Sequence, residues 1–145
     1  MPMMFAGVDA DYDILIVGSG PAGLSAAAQA AARGNRYLLL EATDHASDTI
    51  FRYQKGKHVM AEPGFLPLRS GMPFGEGTRE RILGDWQHSL ESQGIAIRYG
   101  AKVTSIARER EDGPLVVACE DGSRMSARAV ILAIGVQGNL RRLGV

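Results

Sequence analysis

Apolar residues fall in short runs along this chain, and the runs differ in character. "YDILIVG" at 12–18 is continuous and ends in glycine, which predicts a buried strand. "GLSAAAQAAARG" at 23–34 is alanine-rich, favours helix, and stops at Gly34, a residue suited to the left-handed position after a helix. "RYLLLE" at 36–41 predicts a second buried strand. Strand, helix and strand over about thirty residues form a βαβ unit, with parallel strands and a right-handed crossover.

The pattern then breaks. Residues 42–77, including "EPGFLPLRSGMPFGEG", are polar and rich in Gly and Pro, a long excursion with little regular period. From Thr78 a helical period returns. Ile82, Leu83, Trp86 and Leu90 share one stripe, with Thr78 as N-cap and Gly94 as stop. "IAIRY" at 95–99 predicts a third parallel strand. Two Glu-Asp-Gly turns, at 111–113 and 120–122, separate "AKVTSIARER", "PLVVACE" and "SRMSARA", which predicts a three-stranded antiparallel meander. "AVILAIG" at 129–135 then reads as a further buried strand. Residues 1–11 read as a flexible leader and 12–145 as one domain.

Composition narrows the function. Sixteen basic and sixteen acidic residues cancel, so no electrostatic case exists for nucleic acid or an anionic membrane. A neutral surface leaves room for a homo-oligomer or a companion domain. The start lacks a signal-peptide pattern, and no apolar run approaches a bilayer span. Cys119 is the only cysteine, so an internal disulfide and a CxxC redox pair are excluded and a cytoplasmic setting fits. His45, His58 and His88 show no metal-ligand spacing, and His88 belongs on the outer surface of the Trp86 helix.

The chemistry concentrates in "VGSGPAGLSAAAQAAARGNRYLLLE". Gly18, Gly20 and Gly23 make G-x-G-x-x-G between a predicted strand and a predicted helix. Gly18 permits the tight turn, Gly20 admits a pyrophosphate to the backbone, and Gly23 lets the helix lie on the sheet. The helix start offers unpaired N–H groups and partial positive charge to an anion. Ala27 keeps the same helix face small one turn on. Glu41, about twenty residues on, can accept hydrogen bonds from the hydroxyls of an adenosine ribose, and its charge disfavours a 2′-phosphate there. No Gly-Lys-Ser/Thr follows, which excludes a nucleoside-triphosphate P-loop.

These residues resemble the N-terminal FAD-binding portion of the thioredoxin-reductase-like pyridine nucleotide–disulfide oxidoreductases. The likeness includes the paired turns and then Ala133-Ile134-Gly135, where that family carries Ala-Thr-Gly. It implies an α/β, FAD/NAD(P)-binding Rossmann-like domain: a parallel sheet with an inserted three-stranded antiparallel β-meander. An ordinary nicotinamide dehydrogenase would continue with further βα units, so FAD is the favoured dinucleotide.

By that resemblance Gly18, Ser19, Gly20, Pro21, Ala22 and Gly23 hold the pyrophosphate, and Glu41 with Ala42 meets the ribose. Val103 offers its backbone to the adenine or is an ordinary core valine. Ala133, Ile134 and Gly135 line the cofactor, without the family's threonine hydroxyl at Ile134. Lys55, Lys57, His58 and Arg69 either face flavin or pyrophosphate oxygens or belong to a solvated loop. With one cysteine, set in an apparent strand, the chain cannot run disulfide chemistry itself. No second glycine fingerprint follows, so the chain reads as a portion lacking a nicotinamide-nucleotide domain. The implied function is hydride transfer from NAD(P)H to flavin in the complete protein. A non-catalytic NAD- or FAD-binding module and a degenerate interaction domain using the 63–77 loop are the alternatives.

Overall fold

A computed structural model of the chain describes residues 9–60 and 69–135. Among these described residues, eight strands and three helices follow one another as β1 (Tyr12–Val17), α1 (Pro21–Ala32), β2 (Tyr37–Leu40), α2 (Asp48–Phe51), β3 (His58–Val59), β4 (Gly77–Thr78), α3 (Arg79–Ser92), β5 (Ile97–Arg98), β6 (Val103–Arg108), β7 (Leu115–Cys119) and β8 (Arg124–Leu132). Six strands make one sheet in the order β5-β2-β1-β8-β7-β6, and β3 pairs with β4 alone. β1 runs parallel to β2 and to β8, and β2 runs parallel to β5. The expected α/β fold, with parallel strands and an antiparallel meander, is what the chain adopts.

Alternation along the central strands explains the two cores. Ile16 and Leu39 point to one face, where Leu24, Ala27 and Ala28 of α1 pack with Ile82, Trp86 and Leu90 of α3. Leu15, Leu38 and Leu40 point the other way, against Val117, Cys119, Met125 and Ala127 of the meander. With both faces covered, β1 and β2 read as continuous apolar runs rather than alternating ones. Cys119 is a buried member of this second core.

The helix ends follow their residues. Thr78 caps α3, its side chain accepting from the Arg81 N–H, an arrangement worth about 1 kcal/mol. Gly94 (φ 62°) and Gly34 (φ 70°) take the left-handed conformation just past α3 and α1. His88 lies on the exposed side of α3.

Three points depart from the sequence expectation. "SRMSARA" and "AVILAIG" are one strand, not two. Residues 124–127 of β8 pair antiparallel with β7, while Ala127 and residues 129–132 pair parallel with β1. No turn-forming residue interrupts this stretch, so the backbone stays extended while its partner changes. The end of that strand is also not buried: Ile131 and Leu132 are 40% and 61% exposed, and Ile134 beyond it is 65% exposed. β7 has parted from β8 by that point, so the meander no longer covers it. Thirdly, the 42–77 excursion holds α2 and the β3–β4 pair, elements too short to show a period. Trp86 secures part of it, donating its Nε1–H to the Pro73 carbonyl (3.1 Å) and meeting Phe74 edge-on.

Residues 1–8 of the expected leader lie outside the described residues. Ala10 is buried, and Asp11 exchanges hydrogen bonds with Ser126 of β8.

Asp13 sets the registers of the parallel strands at their starts. Its buried carboxylate accepts from the Arg36 backbone N–H (3.0 Å) ahead of β2 and from the Arg128 guanidinium (2.9 Å) of β8. The Arg36 backbone hydrogen bond, opposed by burial and helped by the Arg36 and Arg128 charges, holds the Asp13 carboxyl below its usual range. A lowered folded-state pKa stabilises above the unfolded value and is lost as pH falls through the folded one. Asp13→Asn should therefore lower the melting temperature at neutral pH. The gap to wild type should narrow as pH falls below about 4. Thermal melts of both proteins across the acid range measure this.

Candidate functional site

β1 delivers the chain to Gly18, and the turn there is sterically committed. Gly18 has φ 105°, and a Cβ on it would lie 2.3 Å from the Ala133 carbonyl oxygen. A Cβ on Gly23 would lie 1.8 Å from the Gly18 carbonyl oxygen. Neither position accepts a side chain, since both obstacles are backbone. Gly20 differs: a Cβ there meets nothing within 4 Å. Two glycines close the turn against the fold, and the third leaves open space.

That space is a cleft of about 560 Å³, within the range of small-molecule sites. Gly20 is the N-cap of α1 and Pro21 its first residue. No side chain caps the helix, and its first turn carries no acid. The first N–H groups of a helix have no partner within it, and the dipole adds positive charge where they point. The mouth of the helix is thus suited to an anion.

Eleven of the twelve sequence-predicted site residues line this cleft. Gly18, Ser19, Gly20, Pro21 and Ala22 form the wall at the start of α1. Glu41, Ala42 and Val103 form a second, and Ala133, Ile134 and Gly135 a third. Gly23 lies behind the wall, buried under the Gly18 carbonyl. The Ala133 N–H donates to the Val17 carbonyl (2.8 Å) and the Gly18 N–H to that of Leu40 (2.9 Å), which ties the three walls together.

Lys55, Lys57, His58 and Arg69 do not line the cleft and are exposed. The Lys57 ammonium sits over the Tyr53 ring, and His58 lies 3.7 Å from Glu76. Among the described residues, no group of three or more His, Cys, Asp and Glu could hold a metal ion.

Thr43, Ser47, Asp48, Thr49, Ala101 and Lys102 also line the cleft, although nothing in their spacing along the sequence marks them as site residues. A compositional signal was present: "TDHASD" at 43–48, just after Ala42, is rich in small polar and acidic residues, the composition of a turn entering a helix. Ser47 takes the left-handed conformation (φ 60°, ψ 47°) just ahead of α2. Its N–H and hydroxyl both donate to the Ser19 carbonyl, at 3.0 and 3.1 Å, clamping this loop to the glycine turn. His45 lies 2.7 Å from Asp44 and 2.7 Å from Asp48 and stacks on Phe51. Burial pulls His45 toward its neutral form, but the two carboxylates outweigh it, and its pKa stands above the usual histidine value.

Glu41 is buried and fully engaged. Oε1 lies 2.5 Å from the Ser19 hydroxyl and 3.3 Å from the Ser19 N–H. Oε2 accepts from the Thr43 N–H at 2.7 Å and lies 3.0 Å from the Thr43 hydroxyl. The Glu41 N–H donates to Arg98 and its carbonyl accepts from Ala101, so the end of β5 fixes the backbone.

The model of the pyridine nucleotide-disulphide oxidoreductase family matches residues 15–145. A ferredoxin–NADP reductase of Ignicoccus hospitalis is 30% identical over 92% of this chain and 39% of its own length. A thioredoxin reductase of Treponema pallidum is 28% identical over 95% of this chain and 39% of its own. A solved steroid monooxygenase bound to NADP superposes with a TM-score of 0.70 at 25% identity, over 88% of this chain and 26% of that one. The chain spans about two fifths of the length of the curated relatives it matches. With the family model matching nearly the whole chain, from residue 15 to residue 145, this chain belongs to the pyridine nucleotide-disulphide oxidoreductase family.

Proposed function

We propose that this chain is the FAD-binding portion of an NAD(P)H-dependent flavin oxidoreductase. The observation that carries the reading is the open position at Gly20. It sits at the uncapped start of α1, inside a cleft that also holds a buried carboxylate. A diphosphate fits that place because the N–H groups there lack partners and no Cβ keeps it off the backbone.

In this reading the backbone of Gly18–Ala22 binds the pyrophosphate and Glu41 meets the adenosine ribose. Val103 borders the adenine through its backbone, and Ala133, Ile134 and Gly135 run beside the rest of the cofactor. Ile134 contributes no hydroxyl, so contacts there are main-chain only. When bound, the flavin supplies the ability to take up a hydride and pass electrons on; this chain binds and orients it. Residues 12–145 act as one FAD-binding domain, completed by a nicotinamide-nucleotide domain that delivers NADH or NADPH. Relatives about two and a half times as long, two of them named for NADP or thioredoxin reduction, support that division. The lone Cys119 is buried in the core, so electrons leave by a route other than a cysteine pair of this chain.

The purified protein should show the visible absorption bands of bound flavin, or regain them on incubation with FAD. The bands should bleach when NADH or NADPH is added to the full-length protein under nitrogen. A protein that stays colourless with FAD yet binds NAD would instead be a nicotinamide-binding module.

The glycines separate folding from binding. Gly20→Val should melt close to wild type, because a Cβ there meets no atom within 4 Å and the extended backbone suits valine. Its FAD affinity should fall about tenfold or more, since the side chain occupies the place of the diphosphate. Gly23→Val should unfold at markedly lower temperature, because its Cβ collides with the Gly18 carbonyl. Thermal melts and FAD titrations on the two variants check both outcomes.

A further inference from the structure

The cleft proposed to take a diphosphate is lined by two carboxylates, Glu41 and Asp48, and one ammonium, Lys102. Lys102 lies 3.4 Å from Glu120, so its charge is already partly met. Glu41 is surrounded by the hydroxyl and N–H donors of Ser19 and Thr43. Asp48 is held differently, by cations. Its Oδ1 lies 2.7 Å from His45 Nε2, and its Oδ2 lies 2.8 Å from Arg52 Nε. The other ring nitrogen of His45, Nδ1, lies 2.7 Å from Asp44 Oδ1. A neutral imidazole has one N–H and one lone pair, so it can donate to only one carboxylate. Carboxylate oxygens at hydrogen-bond distance from both nitrogens therefore define an imidazolium.

The ionisable groups around the ring are Asp44 on its own loop, Asp48 and Arg52 at the two ends of α2, and Tyr99 just after β5. From α3, Arg79 approaches the Phe51 ring on which His45 stacks, and the α3 residues that share a cavity with His45 are uncharged. Burial, helped by the Glu41 charge, raises the Tyr99 pKa away from neutrality. Burial also disfavours the charged ring of His45, but Asp44 and Asp48 outweigh it and hold its pKa above the usual histidine value. Losing the proton removes charge rather than contact. The Asp44 side chain is 96% exposed and can turn into water, while the remaining N–H stays on Asp48. Resting on the FAD-site reading above, we propose that His45 is a positioning residue whose positive charge, with that of Arg52, neutralises Asp48 and so admits the diphosphate of FAD to the cleft. Deprotonation leaves Asp48 with Arg52 alone, and the uncovered charge repels the diphosphate. FAD is held more tightly while His45 carries its proton than after it is lost.

FAD is titrated onto the purified full-length protein from about pH 6 to about pH 9. The dissociation constant should rise about fivefold in one step, the size expected of one partly exposed charge acting over several ångströms. Nuclear magnetic resonance of the His45 ring protons gives the His45 pKa directly. The step should span the values measured without and with FAD, which linkage requires to differ by the same factor. Asp44 does not line the cleft, yet Asp44→Asn removes one of the carboxylates that favour the charged ring, so the step should move to lower pH. His45→Gln keeps a donor without the charge. It should show no step and bind about as weakly as wild type at the alkaline end. Adding Asp48→Asn to His45→Gln removes the uncovered carboxylate and should restore tight binding, which a purely structural role for either residue would not give. Salt at about 1 M should flatten the wild-type step.

A wild-type protein that binds FAD equally well across this pH range would overturn the inference while leaving the FAD site standing. That comparison needs no variant to fold. A step that persists in a folded His45→Gln protein would assign the titration to another group and overturn the role given to His45. Failure to bind FAD at any pH would overturn the site reading itself, and the inference with it.

Discussion

The carbonyl oxygen of Gly18 occupies the place where any side chain at position 23 would have to begin. Glycine at position 23 lets the first turn of α1 lie against the end of β1. The Ala133 carbonyl fills the space a Gly18 Cβ would need, and the Ala133 Cβ lies 3.5 Å from where a Gly23 Cβ would stand. One glycine thus meets both the helix and the return of β8, and the cleft opens beside this contact.

The cleft is polar where the glycine turn meets the loop after β2, and Asp48, Thr49 and Lys102 add polar groups around it. Ser19, Glu41, Thr43 and Ser47 form a connected network in which each buried side chain has a partner, and no buried side-chain polar atom among the described residues is orphaned. Such a network rigidifies when complete, because each unpaired member would cost about 1–3 kcal/mol. It also places a negative carboxylate beside the positive mouth of α1. An anion bound at the helix start therefore sits beside, not against, that charge, while neutral hydroxyls suit the carboxylate better. The division matches a molecule with a diphosphate at one end and a sugar next to it.

Much of this was legible in the residues, for physical reasons that differ by element. β1, α1 and β2 show in the sequence because burial on both faces forces unbroken apolar runs and close helix packing forces Gly23 and Ala27 to be small. Thr78 and Gly94 mark α3 because caps are local chemistry. The joining of "SRMSARA" to "AVILAIG" was not legible, since a strand that changes partners midway leaves no mark in period or turn residues. The exposure of Ile131 and Leu132 was hidden for a related reason: apolar residues read as buried whether or not anything among the described residues covers them. In the site, the glycines and Glu41 announce themselves through spacing. Thr43 and Ser47 do not, because their roles arise from a loop that folds back on Ser19, a contact between residues 28 positions apart.

The proposed FAD site depends on a diphosphate resting on the backbone N–H groups at the start of α1. Backbone amide chemical shifts followed by nuclear magnetic resonance during titration with FAD test it most directly. The largest changes should fall on Gly20, Ala22 and Gly23, with smaller ones at Ser19, Thr43 and Val103. Changes centred on the neighbouring cleft between Phe51, Trp86 and Tyr99, with the glycine-turn amides unmoved, would contradict it.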